Sequence, residues 1–303
     1  MIREIQDEII KLKKEKNIKI LAHSYQSTDI LEIADCKGDS YALSLTAREL
    51  VCDTIIMCGV RFMAETVKML SPEKKVILPV SSATCPMAEQ ISPAQVTEFK
   101  KQNPNFKVVA YINTTADLKA VCDVCVTSSS ALKIVKNIKE KDILFIPDKN
   151  LGSYIKENLP EKNIVLWNGY CPVHNIVTVD ECKDAKKLHP NAKILMHPEL
   201  PEEVLSFADI VGSTSAIINY ALNTDQECII GTEKSICDYL NVIKPSGKFY
   251  PLSKNLICPD MRITTISDVL KAVQGVAGEE IIMTPELIEN AKKPIDEMIR
   301  LGE

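Results

Sequence analysis

Three segments of the chain superpose without gaps: KILAHSYQSTDILEIADCKGDS from Lys19, KVVAYINTTADLKAVCDVCVTS from Lys107 and KILMHPELPEEVLSFADIVGST from Lys193. Their steps are 88 and 86 residues. A second series keeps the same rhythm. Cys-Pro pairs begin at Cys85, Cys171 and Cys258, 86 and 87 residues apart, although random placement of 11 Cys and 16 Pro makes fewer than one such pair expected. A chain with this periodicity is three versions of one unit, and each version ends by presenting a cysteine.

The units share one grammar. Each opens with a helical segment, at 3–16, 92–102 and 178–188. The second and third have Ser or Thr at the start and Pro just past the end, as helix boundaries favour. Apolar β-rich runs alternate with further helices, which predicts parallel sheets covered on both faces. The expected fold is therefore α/β: three pseudo-threefold-related, three-layer αβα sandwiches with a functional site at their central interface. Their boundaries are expected at 1–91, 92–177 and 178–303, the last carrying extra C-terminal helices after about residue 264 and from Pro285.

Composition narrows the setting. With 25% charged and 46% hydrophobic residues, the chain reads as a soluble globular protein. A net charge of −5 argues against a nucleic-acid surface. No apolar run approaches the roughly 20 residues of a membrane span. MIREIQDEIIKLKKEKN reads as a charged amphipathic helix rather than a signal peptide. The expectation is a cytoplasmic protein with neither membrane nor nucleic-acid partner. In such a compartment an odd count of 11 cysteines argues against structural disulfides. Cys52, Cys58, Cys122, Cys125, Cys182, Cys228 and Cys237 read as small buried hydrophobes. Cys122 and Cys125 do form a C-x-x-C, the spacing of redox and metal pairs. AVCDVCVTSS nonetheless reads as a short strand, and no second C-x-x-C completes a zinc set.

The repeat also aligns polar residues. His23, Tyr111 and His197 fall at the carboxyl end of the first strand of their units, and Tyr25, Asn113 and Glu199 follow two residues later. Ser40, Ser128 and Thr214 are each expected to open a helix, where N–H groups favour carboxylate or phosphate. Plain N-capping is the bland alternative for them. Asp35, Asp123 and Asp209 read as turn braces. Glu199, His23, His174 and His197 are candidate proton shuttles. Ligands bind at the carboxyl edges of parallel sheets, so three inward-turned units would aim all these groups at one cavity. No dinucleotide fingerprint, P-loop or nucleophile elbow is present.

A pseudo-threefold cysteine triplet suits a metal better than a disulfide. His174 would complete a Cys₃His zinc site. A [4Fe–4S] cluster on three thiolates would instead keep one iron open as a Lewis acid. Three classes follow: a Lewis-acid enzyme, an iron–sulfur electron carrier or redox sensor, and a zinc-stabilised binding module.

The motifs AHSYQ, GDS, FMAE, ATCPMA, YINTTA, VTSSSA, PDKNLG, CPVH, HPE and GSTS resemble those of the quinolinate synthase (NadA) family, over residues 18 to 300. The resemblance implies a [4Fe–4S] enzyme of NAD biosynthesis. Its substrates would be iminoaspartate (iminosuccinate) and dihydroxyacetone phosphate, and its products quinolinate, phosphate and water. It further implies that Cys85, Cys171 and Cys258 hold the cluster. His23, Ser40, Tyr111, Asn113, Ser128, His197, Glu199 and Thr214 would bind substrate. Tyr25 and His174 would line the site, with Glu199 as acid/base. A transient contact with the L-aspartate oxidase or dehydrogenase that makes iminoaspartate belongs to the same expectation. The chain departs from the family pattern at Ser24, Leu200 and Ser215.

Overall fold

The computed structural model of the chain describes residues 2–302. Strands β1 (Ile18–His23), β2 (Cys36–Gly38), β3 (Thr54–Cys58) and β4 (Lys75–Leu78) form a parallel sheet in the order β4-β3-β1-β2. Strands β5 (Lys107–Tyr111), β6 (Val124–Val126), β7 (Asp142–Ile146) and β8 (Asn163–Leu166) form a second, β8-β7-β5-β6. Strands β9 (Lys193–Met196), β10 (Ile210–Val211), β11 (Cys228–Gly231) and β12 (Phe249–Pro251) form a third, β12-β11-β9-β10. The order is one pattern used three times. In each sheet the first strand is central, and the chain reverses its winding direction beside it, which opens a crevice at that strand's carboxyl end.

Each sheet is parallel because helices return the chain to the same edge, and apolar runs on both faces give those helices something to bury. In β1, Ile20 and Ala22 enter one core with Ile56 and Ile77, while Leu21 enters the opposite core with Ile55, Met57 and Val76. The opening helices form where the capping residues place them. Ser92 caps helix Pro93–Gln102, with Gln95 completing a capping box. Thr178 caps helix Val179–Leu188 in the same way, with Glu181.

Asp35, Asp123 and Asp209 are indeed braces. Each carboxylate accepts from the backbone N–H fifteen residues earlier, on Ile20, Val108 and Ile194, at 2.8 Å in every case. Each is also paired with lysine: Lys13 at 3.1 Å, Lys100 at 2.8 Å and Lys193 at 2.8 Å. The brace ties the turn before the second strand to the first strand, so it sets where that strand's far end emerges.

The stretch after residue 264, grouped in sequence with the third unit, packs elsewhere. Helix Ile266–Gln274 buries Val269 and Val273 with Ile9 of the opening helix Ile2–Glu15. Strand β13 (Glu279–Glu280) joins the first sheet, antiparallel to β4. Helix Pro285–Gly302 buries Ala291, Ile295 and Met298 in the second unit's core. Amphipathic faces settle where an uncovered apolar surface is available, and here the first two units supply it. No helix among the described residues is long and apolar enough to cross a membrane.

Substituting Asp123→Ala leaves the Val108 N–H and Lys100 without their acceptor. Urea unfolding should show a loss of about 1–3 kcal/mol; a loss within about 0.5 kcal/mol, the usual range for a neutral surface change, would mean that the brace does not hold the turn.

Candidate active site

The carboxyl ends of the central strands border one cavity of about 260 Å³. Every side chain singled out in the sequence for the site lines it: His23, Tyr25, Ser40, Tyr111, Asn113, Ser128, His174, His197, Glu199 and Thr214, together with Cys85, Cys171 and Cys258. Residues hundreds of positions apart meet there because each of the three units turns its carboxyl edge inward.

The cysteines reach the cavity by one local device. Each sits in extended conformation immediately before a single helical turn that starts with its proline: Pro86–Glu89, Pro172–Asn175 and Pro259–Arg262. Proline is tolerated at that first position, where its N–H would have no intrahelical partner. The following amides then face the sulfur. The backbone N–H groups of Ala88, His174 and Met261, three residues on in each case, favour the thiolate without forming a regular cap. Burial opposes them and pushes the free thiols up, Cys85 to about 12 and Cys258 to about 11. Thiols so reluctant to ionise for water are the kind that a metal must deprotonate on binding.

Glu199 is the hub of the opposite wall. Its carboxylate is buried, its Oε1 accepts from the Tyr111 hydroxyl at 2.7 Å, and its Oε2 lies 3.0 Å from His174 Nδ1. Burial alone would raise this carboxyl, but the neighbouring His197 and His174 and the hydrogen bonds from His174 and Tyr111 hold it low, as a carboxylate. Burial, and then the same carboxylate, push the Tyr111 hydroxyl well up, so it stays protonated and donates. Tyr25, also held protonated by burial, shares hydrogen bonds with Thr214 (2.9 Å) and Thr232 (2.7 Å) and so joins the first unit to the third.

His23 and His197 are built alike. In each, Nδ1 accepts from the backbone N–H two residues on, that of Tyr25 at 3.2 Å and of Glu199 at 3.3 Å. Burial lowers both imidazoles to about 4, against opposing pulls from Asp39 and Glu199. A neutral ring whose Nδ1 accepts carries its proton on Nε2. Both are therefore fixed N–H donors rather than cations at neutral pH.

Two expectations about helix starts are corrected. Ser40 and Thr214 are the first residues of helices Ser40–Glu49 and Thr214–Asn223, but Asp39 and Ser213 do the capping, accepting from Ala42 and Ala216. Ser128 opens no helix; it lies in a turn before helix Ala131–Asn137, whose cap position is Ser130. Clustered hydroxyls near a helix start leave the register ambiguous by a few residues in sequence. Cys122 and Cys125 are buried in the second unit's core and do not line the cavity.

Five residues stand outside those singled out in the sequence. Asp148 and Glu233, both fully buried, accept the backbone N–H of Cys171 (2.9 Å) and Cys258 (3.3 Å). Glu233 is itself held by Arg262 at 2.9 Å and by the Ser235 hydroxyl. They occupy the same place, two residues past the third strand of their units, so the repeat register carried a signal; Val60 stands there in the first unit. Gln90 bridges two cysteine turns, donating to Tyr170 O at 3.0 Å and accepting from Tyr170 N at 2.8 Å. Gly169 is needed beside it, since a Cβ would lie 2.8 Å from the Gln90 amide oxygen and 2.5 Å from Pro147 O. Asp39, finally, receives the Ser215 hydroxyl at 2.6 Å, which ties the two helix starts together across the cavity rim.

No lysine or arginine is among the described residues that line the cavity. An anion there must be met by neutral N–H and O–H groups and by helix N-termini.

A family model described as quinolinate synthetase A protein (NadA) matches residues 7–300. The quinolinate synthase of Clostridioides difficile (strain 630) is 45% identical over 304 residues, covering 100% of both chains. That of Caldicellulosiruptor bescii is 44% identical over 302 residues, 99% of each chain. That of Alkaliphilus metalliredigens is 45% identical over 296 residues, 97% of each.

The neutral His23 has a consequence for acid stability. Its imidazole is held near 4 in the folded chain against 6.5 when free. Between those values the unfolded chain binds the extra proton, so stability is present above about 6.5 and is lost as pH falls toward 4. Urea titrations at pH 7 and pH 4.5 should show His23→Gln losing about 2–3 kcal/mol less than the parent chain. Equal losses would show that His23 is not buried neutral.

Proposed function

The chain belongs to the quinolinate synthetase A (NadA) family and is an enzyme that makes quinolinate for NAD biosynthesis; we propose that it does so by condensing iminoaspartate with dihydroxyacetone phosphate, with loss of phosphate and water, at a [4Fe–4S] cluster held by Cys85, Cys171 and Cys258. The observation that carries this reading is the meeting of three Cys-Pro turns, from three units, on the cavity that also holds the Tyr111–Glu199 pair. The donor set supports the cluster: three thiols on a pseudo-threefold arrangement, stiffened by proline and met by backbone N–H groups, suit a thiophilic centre. Held by Cys85, Cys171 and Cys258, such a cluster would supply Lewis-acid chemistry to the bound substrate.

The chain's own residues have separable tasks. Substrate carboxylates and phosphate dock on neutral donors: the Nε2–H of His23 and His197, the side chains of Asn113 and Ser128, and the N-termini of helices Ser40–Glu49 and Thr214–Asn223. Neutral donors orient an anion without the strong pull of a buried ion pair, which lets product leave. Glu199 takes a proton from substrate carbon as general base and returns it to the hydroxyl that departs as water. Tyr111, hydrogen-bonded to Glu199 at 2.7 Å, positions that carboxylate and relays the proton. His174 and Tyr25, joined through Thr232, keep the wall between them rigid. A cytoplasmic setting and a transient contact with the oxidase or dehydrogenase that forms iminoaspartate complete the proposal. An imine hydrolyses in water, so a short transfer path favours the reaction.

Anaerobic purification with iron and sulfide assays tests the cofactor: the parent chain should be brown and contain both elements. Cys171→Ser should remove colour, iron and activity together, and retention of all three would overturn the ligand assignment. A colourless, iron-free parent protein would favour a zinc-bound module, and reversible one-electron cycling without substrate an electron carrier. Glu199→Gln should keep the colour yet lower turnover by at least about 100-fold; undiminished turnover would remove Glu199 from the chemistry.

A further inference from the structure

The proposed cluster draws on three cysteines, but among the described residues a different trio comes closest to a single-ion site. One donor atom each from Cys171, His174 and Glu199 lies within 4.8 Å of the others. His174 Nδ1 is 3.3 Å from Cys171 Sγ and 3.0 Å from Glu199 Oε2. Ligands about 2.0–2.3 Å from a tetrahedral ion stand roughly 3.3–3.7 Å apart, so the two His174 distances need change by only a few tenths of an ångström, while the Cys171–Glu199 edge, bounded at 4.8 Å, closes by up to about 1 Å through side-chain rotation.

The surroundings prepare each donor. Cys171 and His174 sit at i and i+3 of one turn, Pro172–Asn175 with its cap, so they share a face. His174 Nε2 is 3.2 Å from the Thr232 hydroxyl, which holds the ring with Nδ1 facing Cys171 Sγ and Glu199 Oε2. A ligating histidine is oriented in this way by a partner on its other nitrogen. Glu199 commits Oε1 to Tyr111, which leaves Oε2, and its backbone carbonyl is held by Asn150 at 2.9 Å. Thiolate, imidazole and carboxylate together carry the two negative charges that neutralise a dication. This mixed set suits zinc or cobalt and disfavours magnesium and calcium. The cavity side remains for water as fourth ligand.

We propose that, when the chain lacks its cluster, Cys171, His174 and Glu199 bind one zinc-class divalent cation, which occupies the active centre and blocks cluster assembly. Binding shifts the His174 proton from Nδ1 to Nε2, where the Thr232 hydroxyl accepts it, and displaces the Cys171 thiol proton to solvent, so one proton is released as the sulfur–metal bond forms. The site goes beyond the cluster reading, sharing only Cys171 with it, and differs from a Cys₃His zinc site in not using Cys85 or Cys258.

The full-length chain freed of metal would be titrated with Zn²⁺ by calorimetry and with Co²⁺ by thiolate-to-cobalt absorbance. One ion per chain is expected. Cys171→Ser should abolish it, and His174→Gln and Glu199→Gln should each weaken it by at least about tenfold. Cys85→Ser and Cys258→Ser should change it by less than about twofold. Loss of binding in Cys85→Ser or Cys258→Ser would place the ion in the cysteine triplet and overturn the proposal, as would indifference to His174 and Glu199 or the absence of stoichiometric binding. In a second measurement, iron and sulfide are added with and without prior Zn²⁺. With zinc set at a level that fills the parent site but not the weakened one, the parent chain should assemble the cluster only without zinc, whereas His174→Gln should assemble it in both cases. Assembly in the zinc-loaded parent would overturn the blocking role. Failure to assemble even without zinc would instead sink the cluster reading, leaving the ion site to the calorimetry and cobalt spectra.

Discussion

A parallel sheet sends every strand out through the same edge. Four parallel strands therefore collect four loops at one end, and in this chain three such ends face one another. The constraint is geometric before it is chemical. Helical returns make the strands parallel, the central first strand opens a crevice, and the aspartate braces fix where the neighbouring strand emerges. Every functional side chain inherits its place from that arrangement. The cysteine turns complete it, hung from the fourth strand of each unit by loops that Asp148, Glu233 and Gln90 hold at their backbones.

The cavity is electrostatically unusual for a site proposed to meet anions. Its described lining includes Asp39, Glu199, Glu233 and Asp260 but no lysine or arginine. Burial keeps the two strand-end histidines neutral, and their backbone contacts direct the remaining proton inward. Fixed dipoles take the place of ammonium and guanidinium groups. Such dipoles need no reorganisation when charge develops, which suits stabilisation of a transition state. The arrangement is also sensitive to what sits beside Glu199: a proton, a substrate or a metal ion each balances the same carboxylate differently.

Much of this was legible in the sequence because the repeat did the work of an alignment. The step of 86 to 88 residues brings His23, Tyr111 and His197 into register, and likewise the cysteines. Helix starts at Ser92 and Thr178 were legible from capping chemistry that is local to a few residues. Where the signal was local but redundant, as in the hydroxyl cluster around Ser128, the register slipped. Asp148 and Glu233 were not legible because a buried carboxylate and a surface one look the same in a string of letters; burial is a property of the packed chain. The C-terminal helices were legible as helices but not as the cover of the first and second units.

What the amino-acid sequence determined alone was periodic and short-ranged: three α/β units, their strand and helix order, and three cysteines each set by a proline at the start of a turn. Those follow from propensity, capping and apolar spacing, which act over a few residues. Tertiary structure alone decided which carboxylates lost their water, which imidazole nitrogen kept its proton, and that Cys171, His174 and Glu199 share a corner. Desolvation and contact depend on neighbours from other units, and only the closed fold supplies them.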